Sequence, residues 1–93
     1  MSTALVVGAL PGQGRALRAR LAGRVAVDWV EGGRRRPHVA PGYDVYVLWT
    51  RFCSHRLQDM VRRAAGGAPI LLHGGGLALM AERIAAAAGK EGA

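Results

Sequence analysis

The sequence predicts a small three-layer α/β domain of Rossmann or flavodoxin-like type, with a four-stranded parallel sheet in the order 2-1-3-4 and about three helices. Three observations carry that expectation. Apolar runs at residues 4–8, 44–49 and 70–73 are short and continuous, the pattern of strands buried on both faces. Helical stripes lie between and after them, as in Leu57, Met60, Val61 and Ala64, where the apolar spacing is i, i+3, i+4 and i+7. The resulting order is β-α-β-loop-β-α-β-α, and with right-handed crossovers it puts the switch point of the sheet between strands one and three.

Ala4 to Gly8 reads as the first strand. After Leu10-Pro11-Gly12-Gln13-Gly14 the pattern turns helical, with Leu17 and Leu21 on one face, Arg15 and Arg18 off it, and Gly23 as the stop. Arg24 to Val30 alternates Val25, Val27 and Trp29 with Ala26 and Asp28, which suits a second strand. Residues 31–43 hold three Gly, two Pro and the run Arg34-Arg35-Arg36 without periodicity, and are expected to form a mobile loop. Asp44 to Trp49 is the third strand, and Ser54 caps a helix from His55 to Ala65, on which Asp59 and Arg63 form an i, i+4 pair. Gly66 to Pro69 leads into the fourth strand, Ile70 to His73. Gly74-Gly75-Gly76 opens a last helix with the stripe Leu77, Met80, Ala81, Ile84 and Ala88, and residues 89–93 are expected to fray. No helix stands between strands two and three, so one sheet face is expected to be thinly covered there, a place for a second subunit.

Ninety-three residues, 51% of them hydrophobic, make one domain with a single core (residues 1–93) and little surplus stability, a further reason to expect a homodimer. No apolar run reaches the roughly 18 residues of a membrane span, and no leader is evident, so a cytoplasmic protein is expected. The single cysteine, Cys53, has no partner for an internal disulfide, and Cys53-x-His55 offers too few ligands for structural zinc. No metal and no cofactor are expected. Charge is the strongest compositional signal: 13 Lys and Arg, all but Lys90 arginine, oppose six acids for a formal +7. Such a field attracts phosphates and nucleic acid, although Arg in an Ala- and Gly-rich chain also serves solubility alone.

Ligands of open α/β sheets bind beyond the carboxyl ends of the strands, so the turns there are the places to look. The first turn carries Gly12 and Gly14, whose backbone could hold a phosphate at a helix N-terminus or only allow a tight turn. Its spacing is neither G-x-G-x-x-G nor G-x-x-x-x-G-K-[ST], which excludes a standard Walker loop. Arg34, Arg35 and Arg36 could clamp phosphate oxygens bidentately or form a solvated charge run. At the third strand's end stand Thr50, Arg51, Ser54, His55 and Arg56. Ser54 is better explained as a cap than as a nucleophile, whereas His55 costs helix propensity without filling the apolar stripe and reads as a ligand contact. Cys53 reads as a small packed side chain, with no base and orienter evident for a reactive thiol. His73, Gly74 and Gly75 repeat the pattern of a polar residue and glycines before a helix. Trp29, Trp49 and Tyr43 are candidates for base stacking, but sheet aromatics more often build the core.

The segment from Asp44 to Ile84 resembles a bacterial family of short Rossmann-like proteins catalogued as domain of unknown function 2325. The matching residues are Asp44, Thr50, Ser54, His55, Arg62 or Arg63, Pro69 and the Gly74 to Gly76 turn. Arg51 stands where those relatives carry Asp, a departure that tells against a carboxylate-dependent role such as metal binding. The resemblance implies the α/β fold and draws attention to His55, and it implies no activity. Together these residues lead to the expectation of a noncatalytic binding module for a phosphate-bearing ligand, a small nucleotide or a nucleic-acid backbone. The alternatives are an enzyme acting on a phosphate ester or nucleotide through His55, and an oligomeric scaffold that docks on protein.

Overall fold

A computed structural model of the protein describes residues 2–31, 37–50 and 54–91, with the backbone alone for 89–91. The chain forms β1 (Ser2–Ala9), α1 (Pro11–Arg20), β2 (Val25–Glu31), β3 (Val45–Trp49), α2 (His55–Ala65), β4 (Ile70–His73) and α3 (Leu77–Glu91). All strand pairs are parallel, and the sheet order is β2-β1-β3-β4, so the expected 2-1-3-4 α/β architecture is the one found. The expected loop 31–43 falls partly outside the described residues, since 32–36, and with them Arg34, Arg35 and Arg36, are not among those described.

The two sheet faces sort the apolar residues by parity, because successive strand side chains point to opposite sides. One face packs Ala4, Val6, Val25, Val27, Val45, Val47 and Trp49 against Leu17 and Leu21 of α1 and Met80, Ala81, Ile84 and Ala88 of α3. The other packs Leu5, Val7, Val30, Tyr46 and Leu48 against Leu57, Val61 and Ala65 of α2. No helix follows β2 among the described residues; instead Val39 of the β2–β3 connection is buried in that second cluster. Tyr46 ties the connection down: it is fully buried, and its hydroxyl donates to the Ala40 carbonyl at 2.7 Å. The second half of the expected loop is therefore packed, although Ala26 and Asp28 on that face of β2 remain exposed.

Several boundaries differ from the sequence reading, each for a local reason. β1 starts two residues early because Thr3 N–H donates to the Asp44 carboxylate at 2.8 Å and Asp44 N–H to the Thr3 carbonyl at 3.1 Å, which joins the amino ends of β1 and β3. It ends on a bulge at Gly8, whose φ of 97° favours glycine. α1 begins at Pro11, so the expected glycine turn is its first helical turn; proline is preset for the first helical position, and the Gln13 side chain caps the Leu10 N–H at 3.0 Å. The α2 ion pair is Asp59 with Arg62 at 3.5 Å, i to i+3, not with Arg63. α3 continues helically to Glu91, three residues into the 89–93 tail that was expected to fray.

Both outer strands have an arginine on their edge. Arg18 of α1 donates through Nε to the Val27 carbonyl of β2 at 3.0 Å, and Arg83 of α3 through Nη1 to the Leu72 carbonyl of β4 at 2.6 Å. Arg18 also lies 4.5 Å over the Trp29 ring and pairs with Asp28 at 3.1 Å. The other Asp28 oxygen accepts from the Tyr43 hydroxyl at 2.6 Å. Burial first, and then the hydrogen bond and negative charge of Asp28, push the Tyr43 hydroxyl up to about 12.

Candidate functional site

In a parallel sheet every helix that follows a strand starts at the same end, so the N-termini of α1, α2 and α3 all lie at the carboxyl ends of β1, β3 and β4. β1 and β3 are neighbours while their helices cover opposite faces, which is the switch-point geometry of open α/β sheets. The three turns differ in how much of their chemistry is already committed.

At the β1–α1 turn little is left over. Pro11 has no N–H, Leu10 N–H is held by Gln13, and Gln13 and Gly14 N–H both donate to the Leu10 carbonyl at 3.0 and 3.1 Å. Gly12 N–H has no partner among the described residues, and a side chain added there would meet open space. Gly14 is different: a Cβ there would sit closer than 3.0 Å to Cδ2, Cγ and Cε2 of Trp29. Gly14 thus serves helix-to-strand packing, and among the described residues this turn offers an anion one open N–H.

At the β3–α2 turn, Ser54 is the N-cap, its hydroxyl accepting from Leu57 N–H at 3.2 Å. Residues 51–53, including Arg51 and Cys53, are not among those described. His55 and Arg56 occupy the first helical positions, exposed and without a partner among the described residues. Thr50 directly follows β3 and donates to the His73 carbonyl at 3.4 Å, which links it to the neighbouring strand end.

The β4–α3 turn is built around His73, which is 3% exposed. Its Nε2 faces the Gly76 carbonyl at 2.9 Å and its Nδ1 faces Arg83 Nη1 at 3.3 Å. Donation from Nε2 and acceptance at Nδ1 satisfy both ring nitrogens, an arrangement of the Nε2–H tautomer. The ring stands edge-on to Trp49 with centroids 6.1 Å apart. Gly74 lies where a Cβ would touch Thr50 Oγ1 at 3.5 Å, and Gly75 lies beside the His73 ring. Expected as a ligand contact, His73 is a buried bracket that holds the Gly74 to Gly76 turn.

Thr50, His73, Gly74 and Gly75 are thus brought into one cluster, with Ser54 and His55 at the start of the helix that follows Thr50. Of the aromatic candidates, Trp49 is 4% exposed in the core, Tyr43 packs edge-on to Tyr46, and Trp29 is covered by Gly14 and Arg18. Sequence reasoning missed Arg83, because its bonds to Leu72 and His73 depend on how α3 lies along β4. It also missed Gln13 as a cap, although Pro at the first helical position followed by Gln at the third was a usable signal. Surface depressions of about 510, 350 and 330 Å³ among the described residues lie elsewhere, lined by neither Thr50, His55 nor the 74–76 turn. Among the described residues no three His, Cys, Asp or Glu cluster to hold a metal ion, and no helix is long and apolar enough to cross a membrane.

Comparison with known proteins gives no match to a protein-family model, to a curated protein or to a solved structure.

Proposed function

We propose that the protein is a noncatalytic binding module, acting as a homodimer, for a phosphate-bearing ligand, a nucleotide or a nucleic-acid backbone. The ligand would lie across the carboxyl ends of β1 and β3. The observation that carries this reading is the β3–α2 turn, where the imidazole of His55 and the guanidinium of Arg56 face solvent with no partner among the described residues, at the Ser54-capped N-terminus of α2 and on a chain of formal charge +7. Thr50 and Gly12 border it, and Arg51 and the Arg34 to Arg36 run supply further charge from the sequence. A catalytic role for His55 has less support, because no described residue orients its ring as a general base requires. Membership of the family with domain of unknown function 2325 is proposed on the same residues, Thr50, Ser54 and His55 among them.

The test is binding of a labelled mononucleotide and a labelled oligonucleotide to protein freed of nucleic acid by nuclease and a high-salt wash. One of the two should bind, and His55→Ala combined with Arg56→Ala should weaken it at least about tenfold while leaving the melting temperature in place. Steep loss of affinity with salt would assign a nucleic-acid backbone, and stoichiometric, salt-tolerant saturation a nucleotide. Binding of neither, or binding untouched by the double substitution, overturns the proposal.

A further inference from the structure

A depression of about 510 Å³ lies away from the strand ends, between α1 and α3. Its walls carry opposite charges. Arg20 and Arg24 stand on the α1 side and Glu82 on the α3 side, all three exposed. None of their side chains has an ion-pair or hydrogen-bond partner among the described residues, whereas that of Arg18, two residues before Arg20, is engaged by Asp28 and Val27. Between the walls the surface is made of alanine, with Ala78 and Ala86 exposed and Ala81 and Ala85 below them. Short side chains there let another backbone come close, and unpaired charges of both signs give the approaching surface something to match.

From these walls we infer that the α1–α3 groove is a homodimer interface, in which a second copy of this chain packs its own α1–α3 groove face to face on this one, with α3 of each copy over the α1 side of the other. Charge selects that occupant. A twofold axis lying in the interface and running along the groove exchanges the two walls, so Glu82 of each copy comes over the arginine side of the other. One rotation therefore forms both ion-pair sets, and the patch is complementary to itself as a closed dimer requires. A purely acidic partner would satisfy Arg20 and Arg24 but meet Glu82 with like charge. This interface differs from the place that the sequence marked for a subunit, the thin cover beside β2, where Val39 and Tyr43 now pack. The inference rests on the homodimer part of the proposed function and not on its ligand.

Self-complementarity allows a decisive swap. Sedimentation or native mass spectrometry of the wild-type protein should show a dimer. Glu82→Arg alone, and Arg20→Glu with Arg24→Glu alone, should each raise the dimer dissociation constant at least about tenfold, because each sets like charges against each other on both sides of the axis. All three side chains are exposed, so far-ultraviolet circular dichroism should stay at wild type in both variants. Mixed in equal amounts, the two variants should recover a heterodimer, since each then meets the opposite charge on both walls. A monomeric wild type would overturn both the homodimer reading and this interface. A wild-type dimer that survives both variants, or variants that dissociate but form no heterodimer on mixing, would overturn the groove alone and leave the ligand reading standing.

Discussion

The turns after β1 and β4 and the turn after β3 lie at one end of the same sheet and use their polar atoms in opposite ways. In the first pair the chain spends them on itself: Gln13 caps Leu10, Gly14 admits Trp29, and His73 brackets Gly76 and Arg83. After β3 Ser54 is committed to Leu57 N–H and Thr50 to the His73 carbonyl, while His55 and Arg56 face outward without a partner among the described residues. Glycine and histidine in a loop are thus ambiguous as residue types. What separates structure from candidate function is whether their donors and acceptors are already paired within the fold.

Substitutions test that division. The largest effect is expected from His73→Ala, which deletes a 3% exposed ring and strands the Gly76 carbonyl and an Arg83 N–H; a loss of about 3 kcal/mol should appear in denaturant unfolding. A stability within about 0.5 kcal/mol of wild type would mean that this turn is not closed by packing at all. Next comes the pair of glycines in α1. Gly14→Ala forces a methyl into the Trp29 indole and should cost about 2 kcal/mol despite the gain in helix propensity. Gly12→Ala meets open space and should stabilise by up to about 1 kcal/mol, so the two melting temperatures should move in opposite directions.

In the open turn, Ser54→Ala should cost about 1 kcal/mol by removing the cap, whereas His55→Ala should leave unfolding within about 0.5 kcal/mol of wild type. If His55→Ala proved as costly as Ser54→Ala, the β3–α2 turn would belong with the closed ones. The smallest effect is a control at the β2 edge. Tyr43 ionises near 10.0 in an unfolded chain and about 12 in the fold, so the folded state holds its proton more tightly. Its contribution is complete below pH 10 and is lost as pH rises through about 12. Tyr43→Phe should flatten that alkaline limb in a pH series of urea midpoints, and an unchanged limb would place its origin elsewhere.

Most of the fold was legible because parallel strands buried on both faces leave unbroken apolar runs, and Ser54 announced the start of α2 within a residue. The site was legible only in part. Gly12-Gln13-Gly14 looked like a phosphate turn because composition cannot reveal that Trp29, fifteen residues on, packs over Gly14. His73 looked free for the same reason, since its partner Arg83 comes from an adjacent element whose placement no periodicity specifies. His55 and Thr50 were readable by position, as they follow a strand end in an open α/β sheet. The connection misled in its second half: Val39 is one apolar residue among Pro, Gly and His, too little pattern to announce that it enters the core.

The arginines at the two sheet edges bear on what this protein can become in a crowded solution. An all-parallel sheet with two bare rims is a template for adding further strands, and short apolar edges such as β4, with Leu72 59% exposed, are where fibrillar growth would begin. Arg18 and Arg83 each occupy a carbonyl that an incoming strand would need, and each leaves a cation that a second sheet would have to bury. The sheet is in that sense a sentence with punctuation at both ends: four strands, and no invitation to a fifth.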